Sequence, residues 1–492
     1  MRKQYFYLIA LLLGFFLLES CENFKKKTKV EMESKPNVVL FVVDDLGWTD
    51  MGAYGSDLYQ TPNVDKLASE GVLYTDAYSA CTVCSPTRAS ILTGKYPARI
   101  NLTDWITGHV KKYGKIKIPE WNQELSQDEY TLGEAFQDNG YETFHVGKWH
   151  LGEEEKNWPE HNGFDENIGG FKAGSPAAHS GGGYFSPYNN PRLNDGPDGE
   201  YLTERLTNEV VKLIDDNQKK PFFINFWLYN VHTPLEASQE KVDKYKSIVN
   251  LEGHHTNVTY AAMVEHMDDA LGKVVKTLKE KGLDENTIIV FTSDNGGLRG
   301  NFENDRRKVT DNFPLRSGKG DIYEGGVRIP LIIKWPNKIK SGVTRNTMSI
   351  SADIYPTLMG LANLKFPETK SQYFDGVDLS NELLNQQKVK RETVYWHYPH
   401  YHLEGATPYS ALRHKNWKLI YKYETKQYEL YDLKTDIGEE EDLSQINPEK
   451  LKELSELLHK WLQDTDAQIP VLNEAFDAGK EDEWSISASA TN

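Results

Sequence analysis

Cys84 opens the run Cys84-Ser85-Pro86-Thr87-Arg88-Ala89-Ser90-Ile91-Leu92-Thr93-Gly94, which sets one thiol at the mouth of a short helix with a proline and an arginine behind it. Ser85 can cap that helix, Pro86 suits a first turn where its missing N–H costs nothing, and Gly94 ends the helix after the inward-facing pair Ile91 and Leu92. The side chain at position 84 then lies where backbone N–H groups and the helix dipole favour an anion. Cys81-Thr82-Val83-Cys84 also has the spacing of a redox dithiol, but no thioredoxin-sized unit surrounds the pair. Metal chemistry is suggested twice. Asp44-Asp45 puts two adjacent carboxylates together, which repel each other in water, and a hard divalent cation is the usual reason to hold them so; a solvated turn is the alternative for that dipeptide alone. Ser293-Asp294-Asn295-Gly296-Gly297 supplies a second pair of oxygen ligands, with glycines that let the backbone approach closely. Lys148 and His150, two apart in the loop Gly147-Lys148-Trp149-His150-Leu151-Gly152, and His232 add groups that can meet an anion or move a proton.

Each of these groups follows a segment that reads as a strand. Asn37-Val38-Val39-Leu40-Phe41-Val42-Val43 is apolar and β-branched throughout, as a strand covered on both faces must be, and ends on Asp44. Residues 141–146 lead into Lys148, 222–227 lead towards His232, and 287–292 lead into Asp294. Helices expected over 63–70, 131–139, 201–217 and 257–281 alternate with them. The last carries Met263, Met267, Leu271, Val274 and Leu278 at helical spacing, which is core packing. The alternation predicts an α/β fold with a mostly parallel central sheet and helices on both faces, whose ligands gather at the C-terminal strand edge. Residues 169–200, rich in glycine, proline and asparagine, form a long functional loop or lid. Composition shifts near 381–390, so a catalytic domain is placed at 37–385. A small C-terminal α+β subdomain follows at 386–475, with an antiparallel sheet over 411–413, 417–423 and 428–433 closed by a helix at 448–464. The polar tail, 476–492, is expected to be loose.

A chain of 492 residues with a formal net charge of −17 is poorly suited to nucleic acid, and any anionic substrate must be caught by a local basic site. Residues 1–20 have a basic start and an apolar run, the pattern of an export signal. Leu18-Glu19-Ser20-Cys21 matches a lipobox, with lipidation of Cys21; an ordinary secretory signal with a stray cysteine is the alternative. Residues 21–36 then read as a polar tether, and the expected address is the cell envelope of a Gram-negative bacterium, in its outer membrane or periplasm, with lipid as the only membrane contact. With three cysteines in all, no structural disulfide remains once Cys21 and Cys84 have these roles. Downstream of Cys84, His109, Lys111, Lys112, Lys115 and Lys117 with Trp105, Tyr113 and Trp121 form a basic aromatic segment suited to a charged sugar, or else a solvated lysine-rich loop. The run Tyr395-Trp396-His397-Tyr398-Pro399-His400-Tyr401-His402 is a second candidate for a sugar-binding rim, through His397 and His400 together with Lys111 and Lys112; its aromatics could instead pack a domain seam.

The Cys84 run resembles the Cys-x-Pro-x-Arg motif of the type I sulfatases, in which the cysteine is oxidised to formylglycine, and Lys95 extends the match. Gly147 to Gly152, Asp44-Asp45, Asp294-Asn295 and the segment around Lys319 in Leu315-Arg316-Ser317-Gly318-Lys319-Gly320 occur in the order of that family. The resemblance implies an alkaline-phosphatase-like architecture and a calcium site built from Asp44, Asp45, Asp294 and Asn295, with an oxygen of residue 84. It implies that Arg88 orients the hydrated aldehyde, that Lys148 and Lys319 neutralise the sulfate, and that Asp294 accepts the proton of the attacking hydroxyl. His232 is then the acid for the leaving alcohol, and His150 the base that re-forms the aldehyde. The implied partners are a sulfated carbohydrate, of algal ulvan or galactan type or a glycosaminoglycan, and a formylglycine-generating or anaerobic sulfatase-maturating enzyme. A phosphate or phosphonate monoester hydrolase of the same superfamily and a non-catalytic glycan-binding lipoprotein are the alternatives.

Overall fold

A computed structural model describes residues 35–176, 182–300 and 308–486. Cys21 and the segment before it lie outside these residues, as does the end of the tail. No helix among the described residues is long and apolar enough to cross a membrane.

The centre is an eight-stranded sheet of β1 (Asn37–Val43), β2 (Val72–Tyr74), β3 (Glu142–Gly147), β4 (Glu166–Ile168), β5 (Phe222–Trp227), β6 (Thr287–Ser293), β7 (Leu331–Lys334) and β8 (Val343–Arg345), in the order β8-β2-β7-β6-β1-β5-β3-β4. β6, β1, β5, β3 and β4 run parallel, and β7 is antiparallel to both of its neighbours. Every residue of β1, β5 and β6 is buried, as strands covered on both faces require. Helices α1 (Pro62–Glu70), α2 (Cys84–Thr93), α3 (Leu132–Asp138), α4 (Leu202–Asp216), α5 (Val258–Glu280) and α6 (Ile354–Ala362) form two layers. In one, α1 and α4 pack on α5; in the other, α3 and α6 pack on α2. α3 begins with a capping box, Thr131 accepting from the Glu134 N–H while Glu134 accepts from that of Thr131, which satisfies two donors the helix leaves free.

The C-terminal sheet has four strands, β9 (Thr393–Tyr398), β10 (Tyr409–His414), β11 (Trp417–Lys422) and β12 (Gln427–Asp432), closed by α7 (Pro448–Asp464). β9 is the strand that the aromatic run conceals in the sequence. Its alternation turns Trp396 towards the main body, where the indole donates to the Ser79 carbonyl, and turns Tyr395 onto Trp461 of α7 at 4.8 Å. The apolar core beneath this sheet is shared with the main body, joining Val394, Leu412 and Leu430 to Tyr78, Val83, Ile322 and Val327. The expected loose tail is partly ordered: Trp484–Ile486 pairs antiparallel with His109–Lys111.

A buried ion cluster sits on the same seam. Lys418 Nζ lies 2.9 Å from Glu324 Oε1 and 2.9 Å from Glu439 Oε1, with all three side chains fully enclosed. Burial and the neighbouring Glu324 raise the Glu439 carboxyl to about 7 against the pull of Lys418. Lys418→Met should cost about 3–5 kcal/mol, because it removes the cation between two buried carboxyl groups and leaves only Arg328 on Glu324. Denaturant titration checks this, and adding Glu439→Gln should recover part of the loss.

Candidate active site

β1 and β6 are parallel neighbours with Val43 opposite Ser293, so the residues just past their ends emerge side by side. That register puts Asp44 and Asp45 against Asp294 and Asn295. The Asp45 N–H donates to Asp294 Oδ1 at 3.1 Å, and Asn295 Nδ2 donates to Asp45 Oδ1 at 2.8 Å. From β3, Lys148 reaches Asp44 Oδ2 at 2.7 Å. Lys319, on the loop before β7, reaches Asp45 Oδ2 at 2.8 Å.

α2 brings in the thiol. Val83 is its N-cap and Cys84 its first residue; Ser85, expected to cap, instead accepts a hydrogen bond from the Ile106 N–H at 3.2 Å. Gly94 ends the helix with φ 68°, as expected. One turn in, Arg88 donates to Asp294 Oδ2 through Nε at 2.8 Å, approaches the same oxygen through Nη2 at 2.7 Å, and caps the Lys148 carbonyl at 3.1 Å. Its guanidinium also lies over the Trp227 ring at 5.1 Å. Cys84 Sγ is 3.5 Å from His150 Nδ1, while His150 Nε2 bonds the Ile106 carbonyl. A carbonyl only accepts, so Nε2 carries the hydrogen and the Nδ1 lone pair faces residue 84.

Burial and charge set the protonation states. Burial raises the Asp44 carboxyl well above the ordinary range, with Lys148 opposing and Asp294 and Asp45 adding to it. Burial would raise Asp45 too, but Lys319, by its charge and hydrogen bond, and Lys148 outweigh it and hold that carboxyl below the usual range. For Asp294, Arg88 and Lys148 overcome burial in the same direction. Burial pushes the Cys84 thiol up and, with Lys148, drives His150 well below its ordinary value. His232, 3.7 Å from Asp45 Oδ2, is pushed down to about 3 by burial and Lys319. Both histidines are therefore neutral near pH 7.

The donor set fits a hard cation. Asp44, Cys84 and Asp294 offer ligand atoms within 4.8 Å of one another. Asp44 Oδ1 and Asn295 Oδ1 are buried and accept no hydrogen bond, a costly arrangement that a cation between them would relieve.

All seven side chains assigned chemistry from the sequence, Cys84, Arg88, Lys148, His150, His232, Asp294 and Lys319, converge here. The proposed rim does not. His397 is enclosed between Ser410, 2.7 Å away, and the Gln468 carbonyl, and His400 is buried against Thr103 at 2.8 Å, because β9 is sandwiched between the main body and α7. Lys111 is held over Trp484 and Tyr401 and paired with Asp482, and Lys112 is exposed over Tyr113; neither lines the cavity above Cys84. That cavity, about 510 Å³, is walled by Trp105, Thr107, His109, Lys172, Thr233, Leu298, His402 and Leu403 among others. For Trp105, Thr107, His109, His402 and Leu403 the sequence signal is their place in or beside the two aromatic segments, which does not tell which side chains face inward.

Carboxylates at the ends of parallel strands, with three cations and a buried helix-borne thiol, form a site suited to esters of tetrahedral oxyanions. The sulfatase family matches residues 36–364, and the family described as N-sulphoglucosamine sulphohydrolase, C-terminal, matches residues 318–468. A sulfatase of Formosa agariphila is 32% identical over 86% of this chain and 87% of its own length. N-acetylgalactosamine-6-sulfatase of Mus musculus is 32% identical over 73% of this chain and 68% of its own. The crystal structure of Ps i-CgsB in complex with k-i-k-neocarrahexaose superposes with a TM-score of 0.72 at 29% identity, covering 91% of this chain and 96% of that one. The chain belongs to the sulfatase family, and it is a sulfuric ester hydrolase.

Arg88→Lys should lower stability by about 2 kcal/mol and cut turnover, since an ammonium cannot reproduce the planar fork on Asp294 together with the Lys148 carbonyl contact. Chemical denaturation and steady-state rates on one sulfate ester check both parts.

Proposed function

We propose that the protein removes sulfate from a sulfated oligo- or polysaccharide, with Cys84 oxidised to formylglycine and calcium held by Asp44, Asp45, Asp294 and Asn295. The observation that carries this reading is the meeting of residue 84, Lys319 and two neutral histidines in one sugar-sized cavity, with Arg88 and Lys148 buried directly behind them. Relatives with sugar sulfates in their names and a neighbour bound to an oligosaccharide support the substrate class.

Hydrated formylglycine supplies a nucleophilic hydroxyl together with a second hydroxyl, absent from serine and cysteine, through which the product ester can collapse. Calcium, when bound, supplies positive charge to the sulfate oxygens and to that hydroxyl. Arg88, fixed by Asp294 and the Lys148 carbonyl, orients the side chain of residue 84. Lys148 and Lys319 neutralise the sulfate, and Asp294 takes the proton of the attacking hydroxyl. The bare Nδ1 of His150 removes the proton of the second hydroxyl. His232 protonates the departing sugar oxygen: a bound sulfate favours its charged form, opposing the burial and Lys319 charge that keep it neutral in the free protein. Export and anchoring through Cys21 belong to the same proposal, since an extracytoplasmic polymer is then within reach.

Mass spectrometry of active protein should find formylglycine at position 84; full activity with an intact thiol would refute the nucleophile. His232→Gln should lose about 10²–10⁴-fold on a sugar sulfate but far less on 4-nitrophenyl sulfate, whose leaving group needs no acid. Equal losses on both would remove His232 as the acid. Rates on sulfate and phosphate esters of one alcohol should favour the sulfate.

Calcium added to metal-stripped protein should raise the Tm, by about 2.7 kcal/mol of stability at a hundred times its Kd. The double variant Asp44→Asn, Asp294→Asn should abolish the shift, and a zinc-specific response would contradict the assignment.

A further inference from the structure

The cavity above residue 84 has two walls from distant parts of the chain. Trp105, Thr107 and His109 come from the loop after α2, while His402 and Leu403 come from the C-terminal subdomain, and Lys319 and His232 close the floor between them. His402 lies directly on the backbone beside Lys319: a Cβ added to Gly320, which has φ 83°, would fall 2.1 Å from His402 Nδ1. His402 Nδ1 accepts from the Glu404 N–H at 3.2 Å, so Nε2 carries the ring hydrogen. Burial and the nearby Lys319 push its pKa down to about 3, which makes it a fixed neutral donor near pH 7. Across the cavity the Trp105 ring lies 4.8 Å from that of His109 and 6.4 Å from that of His150. An aromatic face opposite a neutral N–H donor suits a pyranose, with its apolar C–H face and its ring of hydroxyls.

The loop wall is held from outside. His109–Lys111 and Ile116–Lys117 stand apart from the central sheet, and their strand partners among the described residues are both in the C-terminal segment. Trp484, Ser485 and Ile486 pair with Lys111, Val110 and His109, and Val471 and Leu472 pair with Lys117 and Ile116. Between the two pairings Asn473 Nδ2 donates to the carbonyls of Lys112 at 2.9 Å and Gly114 at 2.7 Å. The Trp484 ring meets His109 edge-on at 6.2 Å and takes the Lys111 ammonium at 4.9 Å. A short two-stranded ribbon is marginal in water, so the setting of this loop depends on what pairs with it.

We propose that Trp105, His109 and His402 bind the sugar unit that carries the scissile sulfate, and that the strap of residues 471–486 is a positioning element of this binding site. The inference rests on the sulfatase reading above. It places the strap's contribution in binding, because a loop already held in its bound position spends less affinity on ordering.

The test uses the mature full-length enzyme and three variants: Trp484→Ala, His402→Ala, and a chain ending at Pro470. Each is assayed on a sulfated oligosaccharide that the wild type cleaves and on 4-nitrophenyl sulfate, which lacks the sugar. The expected result is that the ratio of kcat/KM on oligosaccharide to kcat/KM on aryl sulfate falls at least tenfold in every variant that folds, mainly through KM on the oligosaccharide. Hydrogen exchange across residues 109–117 should quicken in Trp484→Ala, and Trp484→Phe should restore both readouts. A ratio within threefold of wild type in Trp484→Ala and His402→Ala overturns the proposal, as does unchanged exchange in Trp484→Ala. Equal losses on both substrates leave the sulfatase reading standing and remove this one; failure of the wild type on every sulfate ester removes both.

Discussion

Three carboxylates, Asp44, Asp45 and Asp294, share one buried point with three cations, Arg88, Lys148 and Lys319. An uncompensated charge removed from water costs several kcal/mol, so the site is stable only while every partner is present and well aligned. This constraint reaches far into the fold. It requires β1 and β6 to be in register, β3 to end level with them, and α2 to present its first turns to the same edge. Asp45, His150 and Ser317 take left-handed backbone at φ 62°, 61° and 64°, a conformation costing roughly 1–2 kcal/mol that surrounding contacts must offset.

The second buried ion cluster extends that dependence to the C-terminal subdomain. Glu324 lies five residues beyond Lys319, and its carboxylate is met by Lys418 of β11 and Arg328, while its N–H donates to Glu439 Oε2 at 2.6 Å. Arg413 of β10 pairs with Asp76 at 2.6 Å across the same seam. The loop bearing Lys319 is thus gripped by the small sheet, and His402 packs against Gly320 on the same loop. The subdomain does more than close the core: it holds the loop that carries Lys319 and forms one wall of the cavity.

Amino-acid sequence alone determined the central strands and most helices, and singled out most of the residues that meet at the strand ends. These are legible because they rest on local rules: strands buried on both faces are uniformly apolar, helices carry caps and a 3.6-residue period, and carboxylate pairs at strand ends have few other uses. The resemblance to a known family added roles to residues already singled out, and added Lys319. Ser85 differs from its expected capping role: serine is a favoured cap and valine a poor one, yet the helix starts at Cys84 behind Val83, and the Ile106 N–H claims the Ser85 hydroxyl.

Only the tertiary structure decided which aromatic and basic residues face the substrate. A histidine in β9 and the one that ends the same run have similar composition around them, yet His397 is sealed by Ser410 and Gln468 whereas His402 lines the cavity. Likewise Lys111 looked available to an anion until Trp484 and Asp482, more than three hundred residues away, claimed it. Strand and helix periods state which face a side chain occupies; what covers that face is settled by contacts between segments distant in sequence, and no local pattern encodes them.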